Sequence, residues 1–283
     1  MALASTKLDG GIALVTGAAS GIGKEVAFAF AEAGVHGIML VDRQEPDVTT
    51  LEECRKFAHY ADLRLLAITA DISVEKDVEN MAQTAIKEFG RIDYCVHPAG
   101  VPSGSSAPTA HLDVEVFDRT MAVNSRGTML VVRAISEVMA KQDPRTYTSA
   151  RSKTVRSLGK GAIVVIASIN GVIAAPGMMP YTASKYAAIG IAKTAAVDNF
   201  QHNIRVNVVC PSWTNTPMLQ GTVERVPILD KVIQTMCPLK RAAVPEEVAD
   251  ASVFLCSPAA TFINGESLVI DAGFSLTAYR NSL

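Results

Sequence analysis

Two hydrophobic rhythms alternate along the chain. Short runs in which nearly every position is apolar, such as residues 11–17 (GIALVTG) and 161–168 (GAIVVIAS), are separated by longer stretches whose apolar positions recur at helical spacing. The short runs have the length and β-branched content of buried strands, and the longer ones read as helices. Strands are expected at residues 11–17, 37–42, 64–71, 92–100, 161–168, 204–210 and 266–271. Helices are expected over residues 23–34, 49–61, 74–90, 114–141, 181–200 and 245–257, the first stopped by Gly34. Apolar strands joined by helices predict an α/β protein, a doubly wound parallel sheet with helices on both faces. No composition break divides the chain, so residues 1–283 are expected to form one domain.

Two stretches break the rhythm. Residues 142–161 carry Arg145, Arg151, Lys153, Arg156 and Lys160 against Asp143 alone. A solvated surface loop is the favoured reading and an anion site the alternative. The segment from Pro211 to Val244 is too long for an ordinary connection and is richer in apolar residues than a solvated loop requires, which suits a lid or substrate-binding loop.

The turn after the first strand reads TGAASGIG, with Gly17, Gly21 and Gly23 leading into a helix. Glycines in such a turn permit a tight bend and a close approach of backbone N–H groups to a pyrophosphate, and they let the helix pack near the strand. The helix N-terminus adds a favourable dipole for phosphate. Asp42 closes the second strand, where a carboxylate accepts hydrogen bonds from an adenosine ribose and repels a 2′-phosphate. NAD is therefore expected over NADP, with Arg43 the one neighbouring feature that suits a phosphate.

Further on, Tyr181 and Lys185 stand four residues apart in an alanine-rich helix, so they share a face. A tyrosine has an ordinary pKa near 10, and a cation within roughly 4–6 Å favours its phenolate. That pairing suits a phenol that exchanges protons with substrate.

TGAASGIG, Asn124 in MAVNSRGT, Ser168 in VVIASINGV, and YTASK together resemble the short-chain dehydrogenase/reductase family over nearly the whole chain. The resemblance implies a Rossmann-like sheet and hydride transfer between a nicotinamide and a carbinol or carbonyl carbon. It implies a catalytic set of Asn124, Ser168, Tyr181 and Lys185, with Tyr181 as acid/base and Ser168 holding the substrate oxygen. Lys185 would also bind the nicotinamide ribose, and Asn124 would hold a water that links Lys185 to solvent. Cofactor contacts are expected from Gly17, Ser20, Gly21, Ile22, Gly23, Asp42, Arg43, Asp71, Ile72, Ala99, Gly100, Tyr181, Lys185, Pro211, Thr214 and Thr216. The absence of a basic residue at Ser20 is a further mark against NADP. Two positions depart from the family pattern: His97-Pro98 precede Ala99-Gly100 where two asparagines are usual, and Ser212 follows Pro211 in place of glycine. Pro98 removes a backbone donor. His97 reads as a structural imidazole in preference to a proton carrier.

Substrate contacts are expected from Ser168, Met178, Met179, Trp213 and Met218, an apolar and adaptable surface. They suit a bulky hydrophobic secondary alcohol or ketone of terpenoid, steroid or polyketide type, and the basic insertion resembles that of microbial family members from specialised metabolism. The alternatives are a reductase of a small or acyl-carrier-bound ketone, or a non-catalytic NAD(H)-binding sensor or scaffold. The net charge of −2, with scattered basic residues, argues against nucleic acid. No apolar stretch approaches a membrane span, the N-terminal residues lack a signal-peptide run, and the terminal RNSL misses the peroxisomal address. The five cysteines, an odd number without a CxxC pair, read as reduced core residues, so a cytoplasmic protein is expected. No metal is expected, and apolar helices around residues 129–139 and 187–197 suit a homotetramer or homodimer, with the C-terminal residues 273–283 a second contact.

Overall fold

The computed structural model describes residues 6–45 and 47–277; the last six residues of the expected C-terminal contact lie outside them. Seven parallel strands form the main sheet in the order β3-β2-β1-β4-β7-β8-β9. They are β1 (Ile12–Thr16), β2 (Gly37–Asp42), β3 (Arg64–Thr69), β4 (Tyr94–His97), β7 (Gly161–Ile166), β8 (Ile204–Pro211) and β9 (Ser267–Ile270). This is the doubly wound, Rossmann-like sheet that the alternation of runs predicts. The order reverses between β1 and β4, and the crevice beyond the strand ends at such a switch point is where ligands bind.

Strand periodicity divides the core. Leu14, Met39, Cys95 and Ile163 face one helical layer, built from α3 (Glu75–Phe89), α5 (Thr128–Ala140) and α6 (Met179–Asp198). Ala13, Val15, Ile38, Leu40 and Val164 face the other, built chiefly from α1 (Gly21–Ala33), α2 (Val48–Phe57) and α9 (Pro245–Cys256). With both faces covered, β1, β7 and β8 are buried at every position, which is why β1 and β7 are nearly continuous apolar runs, while Arg205 and Asn207 of β8 donate to the Ile263 carbonyl. All five cysteines are free and buried, as their spacing suggests.

Three segments differ from expectation. Residues 142–161 are not a plain solvated loop: β5 (Arg145–Thr148) and β6 (Val155–Gly159) form an antiparallel hairpin. Arg145 donates to the Tyr94 hydroxyl at 2.6 Å and the Asp9 carbonyl at 2.8 Å, and Arg156 donates to the Pro258 carbonyl at 2.8 Å. Two of the basic residues therefore anchor the hairpin. The helix expected over residues 114–141 consists of α4 (Val114–Met121), a π-helical segment Ala122–Gly127, and α5. Finally, the long segment after Pro211 folds into α7 (Pro217–Arg225) and α8 (Ile228–Met236), which leave Met218, Val226 and Ile228 exposed.

Candidate active site

A cleft of about 300 Å³ opens at the switch point, lined by the β1–α1 turn, the ends of β2 and β3, residues 98–101 and the start of α7. The glycines of the turn are sterically enforced. A Cβ on Gly23 would lie 2.1 Å from the Gly17 carbonyl oxygen, and one on Gly17, whose φ is +62°, would lie 2.9 Å from Ala99 Cα. The N-cap of α1, Ser20, makes no side-chain capping bond, so the helix keeps free N–H groups at the cleft. Those features fit the pyrophosphate of a dinucleotide.

At the adenosine end, Asp42 Oδ2 accepts from the Ala19 N–H at 3.0 Å and Oδ1 accepts from the Gln44 N–H at 3.1 Å. The carboxylate is thereby fixed at the rim. Asp71 is held below the ordinary carboxylate range by hydrogen bonds from Ser73, against the opposing effect of burial, and the positive charge of Arg43 helps. Arg43 itself is exposed at the cleft. Gly17, Ser20, Gly21, Ile22, Gly23, Asp42, Arg43, Asp71, Ile72, Ala99, Gly100 and Thr216 all line the cleft, as does Met218. Pro211, Thr214, Tyr181 and Lys185 do not: Pro211 is buried at the end of β8, Thr214 is buried in a bridge to Ala243, and Tyr181 and Lys185 stand on α6 beyond the cleft lining. Thr216 is the N-cap of α7, and its Cβ and Cγ2 lie 3.2 Å from the position a Gly21 Cβ would take, so α7 closes over the glycine turn.

The cleft continues at Gly100 toward the second set of residues. A Cβ there would lie 3.0 Å from Asn124 Oδ1 and 3.7 Å from Lys185 Nζ. Asn124 is buried in the π segment and clamps Val101: Oδ1 accepts its N–H at 2.8 Å, and Nδ2 donates to its carbonyl at 2.9 Å and to Ser184 Oγ at 3.1 Å. Ser168 follows β7 in extended backbone, where its Oγ accepts the Asn170 N–H at 3.1 Å. Pro180 in the first turn of α6 starts the helix that carries Tyr181 and Lys185.

Lys185 Nζ donates to the Ile166 carbonyl at 3.0 Å and sits 5.5 Å from the Tyr181 ring centroid. Burial pulls the lysine down to about 8, with Cys210 opposing. Tyr181 is half-buried, and its phenol stands above the ordinary value because burial outweighs the hydrogen bond to Ser168. The sequence predicts a phenol depressed by Lys185. Here the ammonium points at the end of β7, and the lowering contact comes from Ser168.

The apolar substrate residues are less convergent. Met218 lines the cleft, Met179 is 40% exposed at the start of α6, and Met178 is its N-cap. Trp213 packs on Phe274 of the C-terminal turn, with ring centroids 4.9 Å apart. Ser212, in place of the usual glycine, continues the sheet by donating its N–H to the Ile270 carbonyl at 2.9 Å, and its φ is not left-handed. The residues that sequence reasoning missed are Val101, the partner of Asn124, and Thr128, one turn beyond Asn124. The i, i+4 spacing of Asn124 and Thr128 was the available signal.

Comparison with known proteins settles the family. Residues 17–275 match the family model described as enoyl-(acyl carrier protein) reductase. The chain is 42% identical over 269 residues to the short-chain dehydrogenase fogB of Aspergillus ruber, covering 95% of this chain and 98% of that one. The protein is a short-chain dehydrogenase/reductase. It is also 34% identical to 3beta-hydroxysteroid dehydrogenase 2 of Eggerthella lenta, over 95% of this chain and 96% of the relative. The crystal structure of levodione reductase superposes with a TM-score of 0.84 at 27% identity, covering 95% of this chain and 99% of the other. As a member of that family this oxidoreductase uses a nicotinamide cofactor, and the cleft described above has the shape and donors to hold one. Among the described residues no cluster is arranged to ligate a metal, and no helix is long and apolar enough to cross a membrane.

Proposed function

We propose that this short-chain dehydrogenase/reductase interconverts a bulky hydrophobic secondary alcohol and its ketone with NAD(H), in one domain that both binds the dinucleotide and carries the chemistry. The observation that carries the reaction is the meeting of Ser168, Tyr181 and Lys185 at the end of β7, beside the dinucleotide cleft. When bound, the nicotinamide supplies or accepts the hydride at the carbinol carbon. Ser168 holds the substrate oxygen within reach of Tyr181. In alcohol oxidation Tyr181 takes the hydroxyl proton, and in ketone reduction it returns one. Lys185 supplies positive charge near the ring and binds the ribose of the cofactor. Asn124 keeps residues 100–101 in place against the cofactor and holds a water that passes protons between Lys185 and solvent.

For NAD over NADP, the support is the fixed Asp42 carboxylate at the rim, which repels a 2′-phosphate; Arg43 beside it is exposed at the cleft and is the one feature that suits such a group. A large apolar substrate is supported by the half-exposed surface of Val172, Met179 and Met218 around the site, and by the hydroxysteroid specificity in the name of one relative. A small or acyl-carrier-bound ketone is the second reading, favoured by the description of the matching family model. The experiment is to follow reduced nicotinamide by absorbance with NAD or NADP and a panel of polycyclic and small secondary alcohols. Turnover of polycyclic alcohols with NAD supports the proposal. Turnover of short alcohols alone, or with NADP alone, refutes it. The exposed apolar residues Met129 on α5 and Tyr186 and Val197 on α6 support assembly as a homotetramer or homodimer, and the free buried cysteines support a cytoplasmic location.

A further inference from the structure

β4 lies beside β1 at the switch point and ends on His97, whose ring is 1% exposed. Both ring nitrogens are engaged. Nδ1 is 2.7 Å from Thr16 Oγ1, at the end of β1, and Nε2 is 3.2 Å from Thr128 Oγ1, at the start of α5. Thr128 Oγ1 in turn donates to the Asn124 carbonyl at 2.7 Å, and Thr16 Oγ1 accepts the Ala99 N–H at 3.4 Å.

Proton counting leaves one arrangement. A hydroxyl has a single proton, and a carbonyl has none to give. The Thr128 proton is therefore committed to Asn124, so Thr128 accepts from His97 and the imidazole proton lies on Nε2. Nδ1 then carries a lone pair and accepts from Thr16, whose oxygen takes the Ala99 N–H. In this sense all four contacts are satisfied at once, and the one that fixes it is the shorter of the two at Thr128, 2.7 Å to the Asn124 carbonyl, which can only accept, against 3.2 Å to Nε2. Burial, aided by the positive charge of Lys185, depresses His97 to about 3, which keeps the ring neutral at physiological pH.

The two ends of this chain both reach the cleft. Thr16 precedes Gly17, which lines it, and Asn124 clamps Val101, which lines it from the other side. We propose that His97 is a positioning residue: as a neutral, Nε2-protonated imidazole it locks the glycine turn to the Asn124 π segment, so that seating of the cofactor and placement of Asn124 are coupled. It donates no proton to substrate. The coupling rests on the dinucleotide reading of the cleft, whereas the protonation state of the ring does not.

Two measurements on the full chain test it. Nitrogen chemical shifts of isotope-labelled histidine, with His97 assigned through His97→Asn, should give an Nε2-protonated ring that does not titrate around neutral pH. Hydrogen–deuterium exchange of the peptide spanning residues 122–128, with and without NADH, should report the coupling. Wild type and Thr128→Ser, which keeps the hydroxyl, should show exchange slowed by NADH about tenfold. Thr128→Val should bind NADH and lose most of that slowing. If Thr128→Val alone fails to fold, His97→Leu, which removes both the donor to Thr128 and the acceptor for Thr16, should lose the slowing in its place. An Nδ1-protonated or titrating His97 overturns the proposal, and so does full NADH protection in the folded variant. Failure of wild type to bind NADH would instead defeat the dinucleotide reading and the coupling with it.

Discussion

At the level of single residues, the site joins a phenol raised by burial to a lysine lowered by burial, and each has a measurable consequence. Tyr181→Phe keeps the ring and removes the transferable proton, so turnover should fall roughly 10²–10⁴-fold while NADH binding, read by fluorescence, changes little. Survival of turnover would remove Tyr181 from the chemistry. Lys185 gives a pH signature without cofactor. Its folded pKa of about 8 lies below the ordinary 10.5, so between those values the unfolded chain holds more protons than the native one. Stability should therefore rise with pH across that window, and Lys185→Met should abolish the rise in denaturant titrations. In the proposed NAD preference, Asp42 is the residue that selects the cofactor. Asp42→Ala removes the charge facing a 2′-phosphate and should shift the ratio of NADP to NAD affinity upward by about tenfold or more, measured by titration of both cofactors.

Among the elements, α1 and α9 pack side by side with like charges between them. Glu25 on α1 is pushed up by burial and then by Glu246 and Asp250 on α9. A carboxyl raised in the folded state destabilises that state once it ionises. Glu25→Gln should thus raise the unfolding free energy slightly at neutral pH, by no more than about 0.5 kcal/mol because solvent screens the group, with the gain vanishing below the ordinary carboxylate range. A loss of stability in this variant would contradict the repulsion. The π segment, the β5–β6 hairpin and the helices α7 and α8 are the elements the sequence concealed. Residues 114–141 have unbroken helical periodicity, and an i→i+5 turn changes hydrogen bonding without changing composition. In the hairpin, alternation in Arg145–Thr148 was masked because its inward positions, Arg145 and Tyr147, are polar or amphipathic and find their partners in Asp9, Tyr94 and Arg156.

For the whole molecule, the apolar residues that remain on α5 and α6 predict self-association. Multi-angle light scattering at micromolar concentration should give a dimer or tetramer, and Val197→Glu with Tyr186→Glu should shift it toward the monomer. A wild-type chain that runs as a monomer would refute the assembly. The doubly wound architecture was legible, since apolar runs separated by helical stretches call for a parallel sheet covered on both faces, whereas the strand order comes from the tertiary structure.

By itself the sequence determined what depends on local pattern and covalent chemistry. The apolar runs set the strands, the glycines after β1 set the turn, and the Tyr181–Lys185 spacing placed two functional groups on one helix face. The tertiary structure decided what depends on which surfaces meet. Only packing determines that Lys185 spends a hydrogen bond on Ile166, that Trp213 lies on Phe274, and that Asn124 holds Val101. The protonation of His97 belongs with these. The ring is flanked by residues 81 and 31 positions away in sequence, and only burial among their hydroxyls fixes which nitrogen carries the proton.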